Sequence, residues 1–113
     1  MLFDSRNLKG WENIQTKFLR VGNEIYIIGQ EENLKFHIEL AKKEKILERI
    51  EDFKIQNPDS IDGGVMFIEN KLIRIGLSSS SLDIPLTEKA RTETLKVLNK
   101  HLPEYSIKLV SEI

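Results

Sequence analysis

Residues 61–84, IDGGVMFIENKLIRIGLSSSSLDI, constrain the fold more than any other stretch. Apolar residues alternate with others on both sides of Glu69-Asn70, which predicts two strands over 60–68 and 71–77 joined by a tight turn. In the second strand Ile73, Ile75 and Leu77 fall on one face, with Leu72, Arg74 and Gly76 on the other. Gly63 and Gly64 open the first strand, and the second runs out into four serines, Ser78 to Ser81. Glycine leaves backbone amides unshielded, and successive turn N–H groups with serine hydroxyls form a nest for an anion. The same run also fits a plain polar loop, because clustered serines mark turns, and a bulge is the simplest account of the two glycines.

The flanking chain supplies further elements of the same kinds. Residues 1–13 show no sustained period and read as an irregular arm, with Phe3 or Trp11 as its apolar anchor. Residues 14–21 predict a strand with Lys17, Leu19 and Val21 on one face, and Gly22-Asn23 turns the chain into a second strand over 24–28. Apolar residues at helical spacing from Leu34 to Ile55 predict one long amphipathic helix, capped by Asn33 and stopped by Asn57-Pro58. A second helix starts near Thr87, and Pro103 stops it. There His101 is expected to interact with the last carbonyls of that helix. Residues 105–110 alternate well enough for a closing strand. The order is ββαββαβ. It predicts an α+β fold in which one mixed, mostly antiparallel sheet carries two packed helices, all within a single domain spanning 1–113.

Composition removes several classes of function. With 113 residues the chain can build one core but not two. Lys and Arg total 17 against 18 Asp and Glu, so no global field draws the protein to nucleic acid or to an acidic membrane. The absence of cysteine excludes disulfides, thiolate metal sites and a cysteine nucleophile, and fits a cytoplasmic protein. No stretch has the length of a membrane span, and no His/Asp/Glu group has metal-ligand spacing. The expectation is a monomer or weak dimer without a metal or other cofactor.

Five short motifs then occur in a telling order: Lys17-Phe18 in a strand, Phe36-His37 opening a helix, Asp62-Gly63-Gly64-Val65 at a strand start, Gly76-Leu77-Ser78 at a strand end, and Pro103-Glu104-Tyr105 after a helix. In this the chain resembles the phosphohistidine phosphatase (Janus/Ocnus) family over about 14–110. The resemblance implies His37 as the catalytic group and Lys17 as the group that places the phosphoryl. It also implies that Ser78, Ser79 and Ser80 hold phosphate oxygens through turn amides, with Gly63 and Gly64 shaping the pocket. Two departures stand out. The family's glycine run is usually three long and followed by arginine, and its second-strand arginine falls here at Ile27 or a neighbour. Arg20 and Arg74 are the two candidates to replace that charge.

Physical chemistry gives His37 an independent reason to matter. The positive end of a helix dipole disfavours imidazolium, keeping the ring neutral and able to accept a proton or attack phosphorus. The expected function is therefore metal-independent hydrolysis of N-linked phosphoryl groups, phosphohistidine or phospholysine, on a phosphoprotein or a small phosphoramidate. The alternative is a non-catalytic phosphate- or phosphopeptide-binding module on the same fold.

Overall fold

The computed structural model describes residues 1–3, 12–29, 32–77 and 82–110. Five strands, β1 (Gln15–Val21), β2 (Glu24–Ile27), β3 (Ile61–Glu69), β4 (Leu72–Leu77) and β5 (Ser106–Leu109), form one sheet in the order β2-β1-β3-β4-β5. Every pairing is antiparallel except β4 with β5, which is parallel and needs the crossover through a helix. The mixed α+β sheet expected from the sequence is thus present. Gly22, at φ 61, allows the tight turn between β1 and β2. The β3–β4 turn lies one residue later than the sequence suggests: Glu69 pairs with Leu72, and Asn70 and Lys71 make the turn at φ 48 and 61.

Among the described residues three α-helices replace the expected two. The 34–55 pattern is interrupted: α1 (His37–Lys43) and α2 (Leu47–Gln56) are separate, with Lys45 between them at φ 59. The break turns Ile46 into the core beside Ile50 and Leu40, which one continuous rod would hold at a different angle to the sheet. Asn33 is not the cap. Phe36 occupies that position, and the Glu39 carboxylate accepts from its N–H at 3.0 Å. The third helix, α3 (Glu88–His101), starts as expected, with Thr87 Oγ1 accepting from Ala90 N–H at 3.0 Å. His101 bonds elsewhere than at the end of its own helix. It reaches the Asn23 carbonyl in the β1–β2 turn at 3.1 Å, while the Leu102 N–H closes the helix on Leu98.

Alternation along β1 sends successive side chains to opposite layers. Leu19 and Val21 pack with Leu40, Ala41, Ile46 and Ile50 of the α1–α2 layer, whereas Phe18 packs with Val97, Leu98 and Leu102 at α3. The sheet is therefore covered on both faces. Leu82 and Ile84, after β4, join the α1–α2 layer before the chain crosses to α3. The N-terminal arm is less irregular than expected where it is described. Leu2 bridges to Tyr26, Phe3 N–H donates to the Ile25 carbonyl at 2.7 Å, and the Phe3 ring is buried in the α3 layer. Trp11 lies outside the described residues.

The α3 layer is not wholly apolar. Arg20 and Asp62, directly opposite each other on β1 and β3, both point into it and are 2% and 1% exposed. Thr94 joins them: its hydroxyl accepts from Arg20 Nε at 2.8 Å and donates to Asp62 Oδ2 at 2.7 Å. Arg91 Nε lies 3.2 Å from the same carboxylate oxygen, and Asp62 Oδ1 accepts the Gly63 N–H at 2.8 Å. Arg20 also donates to the carbonyls of Gly22, Asp59 and Ala90. Burial lowers the proton affinity of both guanidinium groups while Asp62 opposes the shift, and arginine stays charged throughout. Among the described residues Asp62 is thus the one buried carboxylate serving both cations, with Asp59 and Glu93 also acting on Arg20. Asp62→Asn should cost on the order of 3 to 5 kcal/mol, because it strands charge without removing it. Urea unfolding checks this, and a loss under about 1 kcal/mol would mean that the carboxylate is dispensable.

Candidate functional site

His37 is the first residue of α1, in the α1–α2 layer. Phe36 keeps extended backbone at φ −122, so the chain arrives across the sheet and turns into the helix at the histidine. There the imidazole drops onto β3, with Nε2 2.9 Å from the Gly64 carbonyl. A carbonyl only accepts, so in the neutral ring Nε2 carries the proton and Nδ1 is the basic atom. The ring is 3% exposed.

Burial is the main reason why His37 binds a proton less readily than free histidine. The Gly64 carbonyl opposes the shift, the Lys17 ammonium reinforces it, and the Phe18 carbonyl opposes it more weakly. A long helix would set a full dipole against imidazolium at its first residue. With α1 only seven residues long that contribution shrinks, and desolvation takes its place.

Lys17 sits on the same sheet face, from β1. Its Nζ donates to the Lys35 carbonyl at 2.5 Å and lies 5.2 Å from the centroid of Phe36, which is exposed. Lys17 and His37 therefore both fasten the segment entering α1, one to β1 and one to β3. The structure brings these two together.

Gly63 and Gly64 do not form an open nest. Both lie in the regular central strand, paired with Leu19 and Phe18 on β1, and Gly64 also pairs with Leu77 on β4. The register runs unbroken, so the expected bulge is absent. Gly64 is needed for space: a Cβ there would stand 2.2 Å from the Gly76 carbonyl oxygen and 3.3 Å from the Phe18 ring. Gly64→Ala should therefore destabilise by roughly 2 to 4 kcal/mol, since backbone rather than a flexible side chain must move. Thermal unfolding of the variant checks this, and an unchanged midpoint would contradict the packing.

Ser78, Ser79 and Ser80 lie outside the described residues. The residues on either side are informative: Leu77 pairs with Gly64, the residue that holds His37, and Leu82 is buried with Leu40 and Ala41 of α1. Of the two candidate replacement arginines, Arg20 faces α3, away from Lys17, and is consumed by the buried network. Arg74 is half-buried on the Lys17 face, its guanidinium carbon 4.8 Å from the Phe67 centroid and Nη2 3.3 Å from Glu69. Sequence reasoning missed the Arg20–Thr94–Asp62–Arg91 network altogether. Its signal was there: Arg20 alternates with Phe18, and Arg91 and Thr94 share the stripe of Ala90, Val97 and Leu98.

Among the described residues no group of three or more His, Asp or Glu is arranged to hold a metal ion, and no helix is long and apolar enough to cross a membrane. No family model, curated protein or solved structure matches the chain.

The depressed proton affinity of His37 links stability to pH. The unfolded chain takes up this proton first as pH falls, so the stability present above the ordinary value of 6.5 is lost from there down toward the folded value. His37→Gln keeps a donor for Gly64 but does not titrate. It should flatten the loss of stability between about pH 7 and about pH 5, read by urea midpoints. Equal slopes in both proteins would show that His37 is not the titrating group.

Proposed function

We propose that the chain hydrolyses N-linked phosphoryl groups, such as phosphohistidine or phospholysine, without a metal. One observation carries the reading. Gly64 accepts the imidazole proton of His37 and pairs, on its other edge, with the residue that precedes Ser78. A neutral base and the amides and hydroxyls of a serine run are what transfer of a phosphoryl group from nitrogen needs, since catalysis there rests on placement and charge neutralisation. Nδ1 of His37 takes a proton from the attacking water and the amine leaves with a proton as the P–N bond breaks, or Nδ1 attacks phosphorus, the amine leaves with a proton from solvent, and water then cleaves the phosphoryl-imidazole to inorganic phosphate. Lys17 supplies positive charge on the same face, and Arg74 is the second cation there.

A non-catalytic phosphate- or phosphopeptide-binding module is the second reading. The near-complete burial of His37 favours it, because a ring clamped to a main-chain carbonyl also serves simply to seat α1. Incubation with phosphoramidate and with a phosphohistidine peptide in EDTA separates the two. Release of inorganic phosphate, reduced about 10² to 10⁴-fold in the folded His37→Gln variant, is the expected result. Saturable binding with the phosphoryl group retained would replace the enzyme with the module, and no binding would end both.

A further inference from the structure

The other face of the sheet holds a cavity that none of the residues above explains. A volume of about 390 Å³ opens between β4, β5 and the start of α3. It is large enough for a small organic molecule. Ile75, Leu86, Leu109 and Val110 give it hydrocarbon walls, and Arg91 lines it as well. Arg91 is 7% exposed, so its charge stands in a largely dry setting, while Glu88 lies at the exposed surface of the same cavity.

The charge balance says what such a cavity would accept. Among the described residues Arg20 and Arg91 share the buried carboxylate of Asp62. Arg20 has further acidic neighbours in Asp59 and Glu93, whereas among the described residues Asp62 alone attends Arg91. The other contacts of Arg91 are long: 3.5 Å to the Gly76 carbonyl and 3.3 Å to that of Gly63. A guanidinium has five N–H donors, and contacts with the described residues take up three of them. A phosphate dianion would bring two charges to one guanidinium already paired with Asp62 and meet apolar walls, at a steep desolvation cost. A single negative charge on a hydrocarbon body suits one guanidinium with spare donors and an apolar lining.

We propose that this cavity binds a small monocarboxylate with a hydrocarbon body, its carboxylate on Arg91 and its chain against Ile75, Leu86 and Leu109. The site shares no residue with the His37 site, so either can fail alone.

Octanoate is the probe, titrated into the full chain by calorimetry, with octanol as the body without the charge and acetate as the charge without the body. Octanoate should bind saturably with one-to-one stoichiometry, and octanol and acetate at least about tenfold more weakly. Arg91→Gln endangers the fold through Asp62, so the site is tested at its surface. Leu109 is 46% exposed, and Leu109→Glu should lower octanoate affinity about tenfold or more without moving the melting temperature. Glu88→Gln should raise it. Octanol binding as tightly as octanoate, no saturable octanoate binding, or unchanged affinity in Leu109→Glu would each overturn the assignment.

Discussion

The structure depends on one carboxylate. Asp62 sits in the central strand, under a layer of hydrocarbon, and is approached by Arg91 directly and by Arg20 through Thr94. Charges buried this deeply stay only if each is met by hydrogen bonds, and here the donors and acceptors come from β1, β3 and α3. The result fixes where α3 crosses the sheet, because Thr94 and Arg91 must both reach the same oxygen. A purely apolar interface would allow α3 to slide by a turn at little cost, since hydrophobic contact is non-directional. Directional bonds do not. Arg20 extends the anchor to the β1–β2 turn and the 3-10 turn at Pro58–Ser60 through the carbonyls of Gly22 and Asp59.

The two faces of the sheet consequently differ in chemistry. The α3 face turns its buried polar groups on one another and brings Arg91 to the edge of a cavity. The α1–α2 face keeps its sheet side chains apolar over α1 and α2, and its polar groups lie where that cover ends, at His37, Lys17 and Arg74. Gly64 links the faces. Its missing side chain on the α3 side admits the Gly76 carbonyl, and its own carbonyl takes the histidine. No larger residue could do the first without disturbing the second.

Much of the fold was legible in residue spacing because strands with a period of two show themselves whatever lies above them. The hairpins and the start of α3 at Thr87 fall within a residue or so of expectation. The α1–α2 break did not show itself: Lys45 carries no helix-breaking signal, and its positive φ is imposed by the need to bring Ile46 inward. The site was legible only in part. Lys17 and His37 could be named from their motifs and they do share a face, but the glycines read as a loose bulge when they are a tightly paired strand. Nor could periodicity tell whether Arg20 pointed to solvent or to a carboxylate two strands of sequence away.

By itself, then, the sequence determined the strands, most of the helices and the mixed character of the sheet, since these follow from local propensity and periodicity. Tertiary structure alone decided that Arg20 is a buried anchor and not an open cation. It alone decided, too, that His37 is kept neutral by desolvation and not by a long helix. Both are matters of which groups end up within a few ångströms of each other and out of water, and electrostatic energy depends on that separation and dielectric, which a linear pattern does not encode.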